Sequence, residues 1–231
     1  MKLFFHYCPI GFSNCYVLGT EPPVKNEEQA PPLPGEKPGP PEKKRQSKKQ
    51  PAHEAIVIDP GNMDADLLDL IEGNNYKLRA VLITHDHPHH VQGLKTILRI
   101  YDTEIFAVNP AIGGYRTTLV KDGQTVTIGS FRTEVISVPG HSADSAVYKI
   151  GRLLFTGDAL YAGLVGPTAS SYAAATQIAA LQSKILSLPG DYTVLPGHGP
   201  PSSLEAERRF NLGLKNFELQ KTRRPAFRIE L

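Results

Sequence analysis

Four imidazoles fall within six residues in the segment Thr84-His85-Asp86-His87-Pro88-His89-His90. Imidazole is the commonest protein ligand for transition ions and suits zinc, iron and manganese. As plain structure the run is expensive, because each buried ring nitrogen needs a partner. The bland alternative is a solvated polyhistidine loop, and the apolar run before it and the helical spacing after it argue against that. Three further segments place His or Asp just past an apolar run: Val138-Pro139-Gly140-His141-Ser142, Leu154-Phe155-Thr156-Gly157-Asp158 and Leu195-Pro196-Gly197-His198-Gly199. A glycine beside each candidate ligand lets the backbone turn sharply and come close. A lone His after a strand is usually a satisfied polar residue. The four segments together point to a metal site.

Those residues need a frame of strands that end at one place. Residues 3–7, 14–18, 55–59, 80–84, 104–108 and 193–195 read as strands, and 124–156 reads as a meander broken by Gly and Asp. Helices are expected from Asp64 to Glu72 with Asn62 as cap, from Val91 to Tyr101, and from Ala173 to Leu188. Ser202 followed by Glu205 resembles a capping box opening a last helix to about Glu218. Strands alternating with helices in this order predict an α/β protein of mixed sheets covered by helices.

The 231 residues suffice for one large core, and a hydrophobic fraction of 40% with 21% charged is ordinary for a globular chain. A net charge of +2, with no Trp and no aromatic residues set among basic ones, gives no footprint for nucleic acid. Cys8 and Cys15 form no disulfide framework and read as small buried hydrophobes. The start carries no signal-peptide pattern and no stretch has the apolar length of a membrane span, so a cytoplasmic protein is expected. From about 21 to 53 the chain is rich in Pro and Lys and nearly free of core residues, which predicts a mobile insertion between two strands of a single domain spanning 1–231. It reads either as a docking arm for a protein partner or as a solvated insertion.

The motifs resemble the metallo-β-lactamase superfamily, and within it the short glyoxalase II-like hydrolases. The resemblance rests on Asn14-Cys15-Tyr16, Asp59-Pro60-Gly61, the His-x-His segment, Pro139-Gly140-His141 with Ser142, Asp144 and Ser145, Gly157-Asp158, Pro196-Gly197-His198-Gly199-Pro200, and Glu207-Arg208-Arg209 with Asn211. It implies an αβ/βα four-layer sandwich with the site between the sheet edges. It further implies one metal on His85, His87 and His141, a second on His90 and His198, and Asp158 bridging them. The implied cofactor is one or two divalent ions, zinc first, with iron or manganese as alternatives. The implied activity is hydrolysis of a small-molecule thioester by metal-bound hydroxide. Other readings are a mononuclear iron persulfide dioxygenase, a phosphodiesterase, and a non-catalytic metal-binding protein.

Three departures qualify the resemblance. The family pattern is His-x-His-x-Asp-His, and His89 stands where the Asp belongs. That removes a negative charge from a site for two dications and predicts a weaker second metal, with His89 either ligating through a ring nitrogen or acting as a general base. Asp86 is expected to point away from the metals. Gly166-Pro167-Thr168-Ala169 replaces the usual Gly-Arg-Thr-Asp, which removes two candidate anchors for that loop or for substrate. The 33 residues after His198 are too few for the helical domain that holds glutathione in full-length glyoxalase II.

Overall fold

The structure, a computed structural model, describes residues 1–21 and 53–215. The Pro/Lys-rich insertion therefore lies almost wholly outside the described residues, as do the basic tail at 221–224 and the last residues of the expected C-terminal helix.

The chain opens with β1 (Lys2–Cys8), β2 (Ser13–Gly19), β3 (His53–Ile58), α1 (Ala65–Gly73), β4 (Tyr76–Leu82), α2 (Pro88–Val91), α3 (Leu94–Ile100) and β5 (Glu104–Ala107). Short pieces β6 (Ala111–Ile112), β7 (Tyr115–Arg116) and β8 (Thr118–Leu119) lead to the meander β9 (Thr125–Ile128), β10 (Phe131–Ser137), β11 (Ala146–Ile150) and β12 (Leu153–Gly157). Then come the hairpin β13 (Leu160–Tyr161) and β14 (Leu164–Val165), α4 (Ser171–Ala180), β15 (Thr193–Pro196), β16 (Ser202–Ser203) and α5 (Leu204–Phe210).

Two six-stranded sheets form, in the orders β1-β2-β3-β4-β5-β8 and β16-β15-β12-β11-β10-β9. The period of two along each strand sorts side chains between layers. Tyr16, Leu18, Ile56, Ile58, Ala80 and Leu82 of the first sheet meet Phe131, Val135, Tyr148, Phe155 and Leu195 of the second in a central core. Their alternates Val17, Ala55, Val57 and Val81 face Leu67, Ile71, Leu94 and Ile97 of α1 and α3. On the far side Val147, Leu154 and Val194 cover Leu181, Ile185 and Leu204. The layers run helix, sheet, sheet, helix, the four-layer sandwich that the resemblance implies.

Several local readings are corrected. Asp64, not Asn62, caps α1: its Oδ1 accepts from Leu67 N at 3.0 Å, while Asn62 Nδ2 donates to Asp64 Oδ2. β4 begins at Tyr76, before the apolar run, and a register shift lets it skip a residue against β3 between Ala55 and Ile56. The expected helix from Val91 is two short ones. Pro88 occupies the first turn of α2, where its missing N–H costs nothing, and the chain turns at Gly93, whose N–H donates to Pro60 O at 2.8 Å. Helix α4 starts at Ser171 and passes into a π-helical turn over Leu181–Ile185. The last N-cap is Ser203, whose Oγ accepts from Ala206 N, rather than Ser202. Glu205 pairs instead with Arg208 and Arg209.

Candidate metal centre

The candidate residues all follow strand ends at one edge of the sandwich: Asp59 after β3, His85 to His90 after β4, His141 after β10, Asp158 after β12 and His198 after β15. The sheets are pinned together there. Ala146 N donates to Thr84 O at 2.9 Å, and Asn14 N donates to Gly197 O at 2.8 Å. Two glycines permit the closeness. Gly157 has φ +49°, and a Cβ there would overlap the Thr84 hydroxyl. A Cβ on Gly197 would overlap Asp158 Oδ1 and the His90 ring.

Two groups of ligand atoms result, one from His85, His87, His141 and Asp158, the other from His90, Asp158 and His198. In the first, His87 Nδ1 and His141 Nε2 are 2.9 Å apart, and His141 Nε2 and His85 Nε2 lie 3.5 and 3.8 Å from Asp158 Oδ2. In the second, His198 Nε2 is 3.5 Å from Asp158 Oδ2 and His90 Nε2 is 3.5 Å from Asp158 Oδ1. Ligand atoms about 2.0–2.1 Å from a zinc-sized ion sit roughly 3.3–3.4 Å from one another at tetrahedral angles. The observed spacings bracket that value. His85 Nε2, His90 Nε2 and Asp158 Oδ1 are buried without a close hydrogen-bond partner, which suits atoms that would face an ion. The donor set of imidazoles and a carboxylate thus fits divalent ions.

The outer ring nitrogens are held by the fold. His141 Nδ1 meets Pro167 O at 2.8 Å, and His198 Nδ1 meets Phe12 O at 2.9 Å. A carbonyl only accepts, so both rings carry their proton on Nδ1 and direct the Nε2 lone pair inward. His85 Nδ1 lies 3.0 Å from Thr84 Oγ1, which itself donates to Asp59 Oδ2 at 2.6 Å. Burial, with His90 nearby, lowers the His85 pKa to about 3 and keeps it neutral. For His90, burial works against the proton. The carboxylates of Asp158 and Asp59 outweigh it and raise the pKa to about 10. Burial raises the Asp158 pKa, but His90 and its neighbours hold it well below the usual carboxylate range. Burial, and then the charge of Asp158, keeps the Tyr161 phenol protonated.

Six of the seven residues singled out in sequence converge. His89 does not: it is exposed, belongs to neither group, and its ring centroid is 6.3 Å from that of His198. Asp86 is turned away, its Oδ1 accepting from Gly113 N at 3.1 Å. The altered loop is anchored without Arg or Asp. Gln177, fully buried, donates to Ala159 O and Gly166 O, and Pro167 O orients His141. In sequence Asp59 is marked only by its Asp-Pro-Gly turn at a strand end, and Thr84 only by standing before the histidine run. The carbonyls of Phe12 and Pro167 carried none, since every residue has one. Glu207 and Asn211 tie α5 to the hairpin by accepting from Gly163 N and donating to Leu164 O.

An αβ/βα sandwich with paired imidazole groups sharing one carboxylate at its edge defines a class of metal-binding proteins. The chain belongs to the metallo-beta-lactamase superfamily, whose family model matches residues 50–198. It is 36% identical over 156 residues to a protein named hydroxyacylglutathione hydrolase from Francisella philomiragia, covering 62% of this chain and 58% of that one. The matched part thus spans little more than half the length of this curated relative. A solved structure of TTHA1623 in a di-iron-bound form is 28% identical, covers 68% of this chain and 88% of its own, and superposes with a TM-score of 0.59. ETHE1 from Myxococcus xanthus, at 22% identity, shares the fold over 98% of this chain and 93% of its own, with a TM-score of 0.71. Among the described residues no helix is long and apolar enough to cross a membrane.

Proposed function

We propose that the chain is a metal-dependent hydrolase of thioesters, acting on a hydroxyacyl thioester of glutathione or a close chemical relative. The observation that carries the metal-dependent part of this reading is the sharing of Asp158, whose Oδ2 faces His85, His141 and His198 and whose Oδ1 faces His90, so that it belongs to both ligand groups. His85, His87, His141 and Asp158 would hold one ion, and His90, Asp158 and His198 would hold a second. Divalent ions bound there supply Lewis acidity, which makes water nucleophilic near neutral pH and steadies negative charge developing on a carbonyl oxygen.

The chain's own part is positional. Pro167 O, Phe12 O and Thr84 Oγ1 fix three ring tautomers, so the lone pairs need no reorganisation. Tyr161, kept as a phenol beside Asp158, has a proton to donate at the rim. Zinc suits the donor set, and the di-iron form of TTHA1623 supports iron as the alternative. The thioester preference rests on the relative named hydroxyacylglutathione hydrolase.

The test is elemental analysis of anaerobically purified protein together with hydrolysis of a hydroxyacylglutathione thioester, a matched oxygen ester and a phosphodiester. Two ions per chain and preferential thioester cleavage are expected. A fully loaded protein inert toward the thioester overturns the substrate class, and a single ion per chain overturns the paired centre.

A further inference from the structure

Resting on the two-ion reading above, we propose that His89 is a positioning residue: its ring props the β1–β2 turn, and that turn orients His198 for the second ion. Five contacts build the block. The Ser13 hydroxyl donates to His89 O at 2.6 Å, tying the start of β2 to α2. Gly11, at φ +89°, lies so close to the His89 ring that a Cβ there would overlap Nδ1 and Cγ. Phe12 follows in the left-handed region at φ +55°, a costly conformation for a non-glycine residue unless its surroundings hold it. Its carbonyl accepts the Nδ1 proton of His198 at 2.9 Å. The His198 loop is locked to the same turn by Asn14, which donates through Nδ2 to Pro196 O at 2.9 Å and to Gly199 O at 2.7 Å.

Position 89 thus serves the second ion through shape. The imidazole fills the space under Gly11, keeps Phe12 O aimed at His198, and so fixes which His198 nitrogen faces inward. A ligand at this position would need its nitrogen; a prop needs only a flat ring of that size. The two roles separate in a pair of substitutions. His89→Phe keeps a ring and removes both nitrogens, whereas His89→Ala removes the ring.

Zinc affinity at each group is measured by competition with a chromophoric chelator on the full chain. His89→Ala is expected to weaken the second ion by about tenfold or more, the scale of a lost outer-shell partner, with the first ion unchanged. His89→Phe is expected to stay within about threefold of the native chain. Gly11→Ala, which pushes the turn from the other side, should reproduce the alanine result. Equal loss in the Phe and Ala variants assigns ligation or proton transfer to His89 and overturns the prop, as does no loss in either. Should the native chain bind fewer than two ions, the paired-centre reading fails by itself. The prop is then read in the metal-free protein from the His198 ring tautomer by long-range ¹⁵N–¹H NMR. An Nδ1–H tautomer kept in His89→Phe and lost in His89→Ala upholds it, and one kept in both overturns it.

Discussion

Thr84→Val is the substitution that reaches furthest into the centre without touching a ligand. The Thr84 hydroxyl is buried and has one proton, which goes to Asp59 Oδ2 at 2.6 Å. It must therefore accept from His85 Nδ1–H at 3.0 Å. Valine has nearly the same shape, so packing against Gly157 survives while both polar contacts vanish. Asp59 keeps the Thr84 backbone N–H at 2.8 Å and the His90 ring at 3.4 Å. Loss of a hydrogen bond to a carboxylate costs roughly 1.5–3 kcal/mol, and a stranded buried N–H roughly 1–3 kcal/mol. The total, about 2.5–6 kcal/mol, is below the middle of a domain stability of roughly 5–15 kcal/mol, so a measurable folded population is expected. With its tautomer free, His85 should bind the first ion roughly 10–100-fold more weakly. Urea unfolding of the metal-free chain and chelator competition read the two effects, with Thr84→Ser as the variant that retains both bonds. A Val variant within about 0.5 kcal/mol of native stability and with native zinc affinity would refute the hydroxyl relay.

Other expectations follow from the same geometry. Gly197→Ala should cost roughly 1–3 kcal/mol and lower zinc content, because its Cβ meets Asp158 and His90, and native loading would show that the loops yield. Asn14→Ala frees the His198 loop by removing a buried bond to Pro196 O and a partly buried one to Gly199 O; it should lose roughly 1–3 kcal/mol and weaken the second ion more than the first by chelator competition. The second ion must displace the proton that Asp158 and Asp59 hold on His90, whose pKa is about 10. Its apparent affinity should therefore rise about tenfold per pH unit from about 6 to 9 and level off above about 10, while calorimetry in buffers of different ionisation enthalpy reports one proton released. A pH-independent affinity removes the proton from His90. The same raised pKa stabilises the metal-free fold fully below about 6.5, and that stabilisation is lost as pH rises through about 10, which thermal melts across the range measure.

What could be read from the chain beforehand, and what could not, divides along physical lines. The gathering of His85, His87, His90, His141, Asp158 and His198 at one edge was legible because imidazole clusters are rare, and because residues placed at strand ends leave an apolar run, a glycine and a polar residue in fixed order. The sandwich was legible through the alternation of Tyr16 and Leu18 against Val17, which sorts each strand between two layers. The sheet order was not, because pairing β12 with β15 in parallel joins residues some forty positions apart and leaves no local mark. Nor was the role of position 89. An imidazole in a ligand-rich run reads as a ligand, and the prop role proposed for it rests on the close approach of Gly11 and the path through Phe12 to His198, which leave no mark in sequence. The elements that aim the ligands are mostly backbone carbonyls and one threonine. They act through where the chain is, so the sequence carries the candidate ligands and the fold alone shows what aims them.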